Sequence, residues 1–174
     1  MKKIICLSGK QYSGKDTVAK ILIDYFSQFE RIAIGDAIKL EYGKIHNLTY
    51  YEIDSNKGIY RTGLIELGNE GRAKHPDFWL NKIIELDKNI IVPDIRLVHE
   101  AEVFKNAGAF LIRVEAGIEI RSKRGVVTNE NDPTECALDN YGGFDFKIQN
   151  ENGINELKEA SKPLIEAIKR HFNI

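Results

Sequence analysis

Residues 4 to 17 constrain the fold more than any other stretch of the chain. Ile4-Ile5-Cys6-Leu7 is a short apolar run, Gly9-Lys10-Gln11-Tyr12-Ser13-Gly14-Lys15-Asp16-Thr17 is polar and broken twice by glycine, and near Lys15 the pattern turns helical. Strand, loop and helix in that order are the context a phosphate-binding loop requires. Gly9 and Gly14 fall on the two fixed glycines of G-x-x-x-x-G-K, where a missing Cβ lets the backbone curl and aim its N–H groups inward at an anion. Lys15 is expected to reach the β- and γ-phosphates of a nucleotide, and the opening helix adds unpaired N–H groups and the positive end of its dipole. Asp16 stands where Ser or Thr usually places a hydroxyl on Mg²⁺; a carboxylate also suits that hard ion, directly or through water. Lys10 is expected to screen the extra negative charge, and Thr17 keeps a hydroxyl one residue along.

The rest of the chain alternates strand and helix signals. Val18, Leu22, Tyr25, Phe26 and Phe29 follow helical spacing, and Arg31 to Gly35 reads as a second short strand with a helix over 37 to 46. Residues 47 to 60 read as a surface connection, turn-rich at Asp54 to Gly58. A helix is expected from Ile59 toward Lys74, and Pro76 suits the first turn of the next one. Ile90-Ile91-Val92, apolar on both faces, predicts a buried parallel strand. Ala101 to Ala107 predicts a helix stopped by Gly108, Phe110 to Val114 a strand, Phe144 to Ile148 a last strand, and Gly153 to Phe172 a final helix kinked or divided at Pro163. Such alternation implies a three-layer α/β/α fold of the P-loop NTPase type, with a parallel sheet of about five strands. The chain reads as a single domain over 1–174, with a short lid at approximately 117–132.

Composition removes other classes. With 25 basic and 26 acidic side chains there is no electrostatic footprint for a nucleic acid polymer. Two cysteines form neither a disulfide framework nor a metal spacing, and the N-terminus has too few apolar residues for a signal peptide or membrane span. A cytoplasmic protein, monomeric or homodimeric, is expected.

A phosphate-binding loop specifies binding, not a reaction. A kinase of small phosphorylated molecules also needs cations converging on a second anion, and Lys39, Lys57, Arg61, Arg72, Arg96, Arg121 and Arg124 are the candidates. Asp94 follows Ile90-Ile91-Val92-Pro93, so it ends a buried strand on the sheet edge where open α/β folds bind ligands, and can hold Mg²⁺ or its waters. His99-Glu100 lacks the second histidine of a zinc helix, and Asn81-Lys82 lacks the aspartate of a guanine-reading motif, which argues against a GTPase.

The segment Ser8 to Asp16 resembles the aspartate-bearing loop shared by phage deoxynucleoside monophosphate kinases and animal-type phosphomevalonate kinases. Gly35 with Lys39, the arginine helix Arg61 to Arg72, and Asp77-Phe78-Trp79 are similar in the same order. Ile91-Val92-Pro93-Asp94-Ile95-Arg96 with His99-Glu100 is closest to the phage kinases, whereas Arg121 to Gly125, Glu135 to Tyr141 and Phe144-Asp145 look more like the phosphomevalonate enzymes. The resemblance implies transfer of the γ-phosphoryl of ATP to an existing phosphate. Phosphomevalonate enzymes carry a second arginine directly after the Arg96 equivalent, where this chain has Leu97, and that departure favours a (deoxy)nucleoside monophosphate as acceptor, with phosphomevalonate as the alternative. A nucleotide-binding module without kinase activity is the rival of another class.

The expected assignment places ATP over Gly9, Lys10, Gln11, Tyr12, Ser13, Gly14, Lys15, Asp16 and Thr17. Asp16 and Asp94 hold Mg²⁺. Lys39, Lys57, Arg61, Arg72 and Arg96 hold the small phosphorylated substrate. Arg121 or Arg124 stabilises the transferred group.

Overall fold

The computed structural model describes Lys2 to Ile174. In chain order the elements are β1 (Ile4–Ser8), α1 (Lys15–Tyr25), β2 (Phe29–Arg31), α2 (Ile34–His46), α3 (Tyr50–Ser55), α4 (Lys57–Lys74) and α5 (Phe78–Ile84). There follow β3 (Asn89–Val92), α6 (Val98–Asn106), β4 (Phe110–Glu115), α7 (Ile118–Arg124), α8 (Pro133–Cys136), β5 (Phe146–Gln149) and α9 (Ile154–Phe172). The five strands form one sheet in the order β2-β3-β1-β4-β5, every pair parallel. Parallel neighbours need crossovers, and helices lie between them in sequence as that geometry demands.

Contacts divide the chain into two compact units: residues up to Arg31 together with Asp87–Ile174, and Ile32–Leu86. The first holds the whole sheet. Ile5 and Leu7 of β1, Ile91 of β3, and Ile112 and Val114 of β4 share one core with Val18 and Leu22 of α1 and Leu157, Leu164 and Ile168 of α9. Alternation turns Ile4, Cys6 and Leu111 to the other face, where α6 packs on β1 and β4 and buries Ala101 and Phe104 completely. Helices therefore cover both faces, as the near-continuous apolar runs of the strands require. The second unit consists of α2 to α5, with Ile53 fully buried; Trp79 of α5 donates its indole N–H to the Gly68 carbonyl of α4 at 3.0 Å.

Five expectations about local structure need correction. The second strand is Phe29–Arg31 rather than 31 to 35, because Phe29 is the buried anchor and Asp36 accepts the Ala33 N–H at 2.8 Å, starting α2 early. Residues 47 to 60 are not a plain connection. Thr49 caps α3 by accepting the Glu52 N–H at 3.2 Å while Glu52 accepts the Thr49 N–H at 2.7 Å, and α4 begins at Lys57. Pro76 precedes α5 instead of sitting in its first turn, and β5 starts at Phe146. Finally, α9 is not divided at Pro163. Pro163 and Glu159, whose carbonyl loses its helical partner, are both exposed, so the proline sits where an unpaired carbonyl faces solvent rather than the core. Among the described residues no helix is long and apolar enough to cross a membrane.

Candidate functional site

The register of the sheet builds the site. Cys6 of β1 lies opposite Val92 of β3, and the Ile95 N–H donates to the Leu7 carbonyl at 3.2 Å, so the segment after β3 runs beside the loop that leaves β1. In that loop Gly9 has φ 154°, Gly14 has φ 99° and caps α1, and Tyr12 has φ 60°. A Cβ at Gly9 would run into the Val114 carbonyl and one at Gly14 into the Asn150 amide, so both glycines are required by space as well as by φ. The loop is pinned from outside: Asn150 Nδ2 donates to the Ser13 carbonyl at 2.8 Å, and Arg124 donates to the carbonyls of Tyr12, Ser13, Asn150 and Asn152 at 2.8 to 3.5 Å.

Within the cradle the Ser13 hydroxyl is buried and has no partner among the described residues. Among the described residues the Lys15 ammonium donates only to the Lys10 carbonyl, at 3.0 Å, and burial, assisted by the positive charge of Arg96, lowers its pKa to about 8. An orphaned hydroxyl, an under-compensated ammonium and a helix N-terminus within one loop together suit a phosphate group.

A single cavity is lined by Gln11, Tyr12, Gly14, Lys15, Asp16 and Thr17 of the loop, and also by Asp94, Arg96 and Arg124, three residues distant in sequence. Arg31, which sequence reading passed over, lines it too and reaches Asp16 at 3.2 Å. Lys10 and Ser13 instead line an adjoining polar cavity with Arg113 and Arg121. Lys10 is paired with Asp139 at 2.9 Å and Glu130 at 3.3 Å, and its pKa is raised chiefly by the Asp139 hydrogen bond. Arg121 is buried against Glu130 at 2.6 Å and the Ala116 carbonyl at 3.0 Å. Thus the two lid arginines differ: Arg121 is neutralised by a carboxylate, whereas Arg124 meets only carbonyl and amide oxygens among the described residues. The lid itself is partly helical, α7 covering Ile118–Arg124.

The remaining candidates fall in the Ile32–Leu86 unit. Along α4, Lys57, Arg61, Leu64, Ile65, Gly68 and Arg72 are spaced i, i+4, i+7, i+8, i+11 and i+15, which is one stripe of a helix. Lys57, Arg61, Leu64, Ile65 and Arg72 line a cavity of about 390 Å³ with Gly35, Ile38 and Lys39 of α2. All four predicted cations of this unit therefore converge. Lys39 is held by Asp36 at 2.8 Å and Asp54 at 2.9 Å, and Lys57 by Asp54 at 3.0 Å. Arg72 bonds Asn69 at 2.9 Å, and neither Arg61 nor Arg72 meets a carboxylate among the described residues, so the cavity keeps a positive excess.

Sequence reasoning missed the acids and amide that organise the cations around the phosphate loop, Lys10, Arg96, Arg121 and Arg124: Glu130, Glu135, Asp139 and Asn150. Glu135, its side chain 4% exposed, accepts from the Gln11 N–H at 2.7 Å and from Arg96 at 2.6 Å. The Glu135 to Tyr141 block was noticed only as part of a resemblance. Among the described residues no group of three or more His, Cys, Asp or Glu is placed to hold a metal. Asp16 and Asp94 nonetheless share the cavity of Lys15, and two hard carboxylates completed by phosphate oxygens and water suit Mg²⁺.

Comparison with known proteins bears on the fold and the family. The family described as phosphomevalonate kinase matches residues 7–109, from the end of β1 to the start of β4. The Phosphomevalonate kinase of Drosophila melanogaster is 25% identical over 190 aligned positions, covering 99% of this chain and 100% of the fly protein. ORF76 of Ictalurid herpesvirus 1 (strain Auburn), an uncharacterized protein, is 29% identical over 153 positions; the match covers 80% of this chain but only 58% of the viral one. In fold, the shikimate kinase of Aquifex aeolicus superposes with a TM-score of 0.53 at 18% identity, covering 94% of this chain and 96% of that one. The match over more than half its length identifies this chain as a P-loop kinase that belongs to the phosphomevalonate kinase family.

Proposed function

We propose that the protein transfers the γ-phosphoryl group of ATP to the phosphate of phosphomevalonate, giving a diphosphate and ADP. The observation that carries the acceptor is the cavity of the Ile32–Leu86 unit: its cations Lys39, Lys57, Arg61 and Arg72 are set among the aliphatic side chains of Ile38, Leu64 and Ile65. Among the described residues its lining holds no aromatic, amide or hydroxyl side chain, although Tyr50 meets Lys39 Nζ beside it at 3.5 Å. An anionic molecule with a small aliphatic body suits it, and the family match supports the same acceptor. This replaces the nucleoside monophosphate favoured on sequence. That second reading retains one observation: Leu97, 36% exposed, brings no charge directly after Arg96.

An acceptor phosphate oxygen attacks Pγ, the new O–P bond forms, and the bond from Pγ to the bridging oxygen of ADP breaks. The acceptor is already an anion, so no protein nucleophile is required; the protein's share is positioning and charge stabilisation. Main-chain N–H groups from Gly9 to Thr17 and the Lys15 ammonium hold the donor phosphates, and Arg96 serves the acceptor. Arg124, which no carboxylate pairs with among the described residues, is the lid residue suited to the transferred group. Mg²⁺, held by Asp16 and Asp94 or through its waters, supplies neutralisation of the β- and γ-oxygens when bound.

Two predictions arise here. Incubated with ATP and Mg²⁺, the protein is expected to release ADP rapidly with phosphomevalonate and slowly with any member of a nucleoside monophosphate panel, read by coupled ADP detection. Fast turnover of one nucleotide would transfer the assignment to the second reading, and ATP binding without ADP release from any acceptor would leave a binding module. The second concerns pH. Lys15 binds phosphate as the ammonium, and its pKa in the free protein is about 8. Bound anions raise it, so affinity for ATP is expected to be level at neutral pH and to fall by up to about tenfold per unit above pH 8. Calorimetric titration across that range, with Lys15→Arg as the control whose charge does not titrate, measures the effect.

A further inference from the structure

Glu135 has been described only as a contact, but its geometry assigns it work. It sits in the single turn of α8, fixed by its own N–H donating to the Asp132 carbonyl at 2.8 Å. One carboxylate oxygen takes the Gln11 N–H of the phosphate loop, and the other takes Arg96 Nη1 at the end of β3. A buried carboxylate accepting two charge-supported hydrogen bonds on different oxygens fixes both donors relative to each other, which neither a lone ion pair nor a single hydrogen bond achieves. Arg96 gains most. Its side chain is 39% exposed, and Glu135 is the one group that its guanidinium meets among the described residues. Nε and Nη2 remain for an anion.

Resting on the reading above, we propose that Glu135 is a positioning residue, a buried tether that ties the donor loop at Gln11 to the guanidinium of Arg96 and so sets where the acceptor phosphate is held relative to the donor. It touches neither substrate and acts through Arg96. Two properties are needed at once: negative charge, to hold a guanidinium, and the length of a glutamate, to span from α8 to both partners. Glu135→Gln keeps the length and loses the charge and one acceptor. Glu135→Asp keeps the charge and loses one methylene.

The test uses the full chain with ATP, Mg²⁺ and phosphomevalonate, and the variants Glu135→Gln, Glu135→Asp, Arg96→Ala and the Glu135→Gln/Arg96→Ala double. Both single changes at Glu135 are expected to lower kcat/KM for the acceptor by about 10²-fold, the usual cost of a misplaced positioning group, while KM for ATP moves little. In the Arg96→Ala background Glu135→Gln is expected to add nothing, because residues that act as one unit are not additive. Nuclear magnetic resonance reads the tether without turnover: Glu135→Gln is expected to shift the Gln11 amide or the Arg96 guanidinium proton signals. Additive losses in the cycle overturn the proposal, as does wild-type activity in Glu135→Asp, which would mean that charge alone matters. Unmoved proton signals also overturn it. If the wild-type chain turns over neither phosphomevalonate nor a nucleotide, the functional reading fails and the positioning role with it, and the proton shifts then show whether the tether itself exists.

Discussion

Lys15→Met is expected to abolish phosphoryl transfer, lowering turnover by about 10³-fold or more, while leaving the protein as stable as before or more so. The two halves of that expectation come from one fact. Lys15 is half-buried near Arg96 with a single carbonyl as partner among the described residues, and its pKa is depressed from 10.5 to about 8. A lysine whose folded pKa lies below its unfolded value costs stability wherever it is charged, and stability rises with pH between about 8 and 10.5 as the folded form sheds the proton first. Methionine fills similar space without that charge. Steady-state kinetics with a thermal melt at pH 7 checks both. A variant that loses activity and melts far lower would show that the ammonium holds the loop together instead of waiting for phosphate.

The second large effect is expected at Arg124. Arg124→Ala should lower turnover by about 10³-fold, in the range of a lost arginine finger. It should also weaken ATP binding, because the same guanidinium braces the carbonyls of Tyr12 and Ser13 behind the phosphate loop. Arg124→Lys is not expected to rescue it: one ammonium cannot reach the oxygens of Tyr12, Ser13, Asn150 and Asn152 that the planar fork spans. Arg121→Ala is the contrast. Arg121 is buried against Glu130, which keeps Lys10 as a partner, so its loss removes a buried guanidinium and its ion pair and is expected to appear mainly in the melt. Measuring kcat, KM for ATP and melting temperature for the three variants separates the roles; if Arg124→Ala turns over normally, the lid assignment is wrong.

How much of this was legible in the chain depended on distance along it. The phosphate loop could be read because Gly9, Gly14 and Lys15 do their work within nine residues, and β1, β3 and β4 because buried parallel strands are apolar on both faces. The stripe on α4 was visible as scattered basic residues, but that Lys57, Arg61 and Arg72 share one face became plain only once the helix was known to begin at Lys57. That start was missed although Thr49-x-x-Glu52 is a capping signature; the turn-forming run at Asp54 to Gly58 outweighed it. The partners of the cations could not be read at all. Glu135 meets Gln11 across 124 positions and Asn150 meets Ser13 across 137, and no local pattern distinguishes these side chains from ordinary surface acids and amides. Nor did any linker composition announce the division at Arg31 and Asp87.

The proposed division of labour has an evolutionary corollary. Four of the five side chains assigned to the acceptor belong to one uninterrupted insert, Ile32–Leu86, that leaves the sheet after β2 and rejoins it before β3, while the donor apparatus is written entirely in the flanking segments. Selection for a new recipient molecule can therefore rework that cassette by substitution, expansion or wholesale exchange without disturbing a single strand pairing. Descendants of one ancestral ATP-handling frame would then be expected to diverge fastest there.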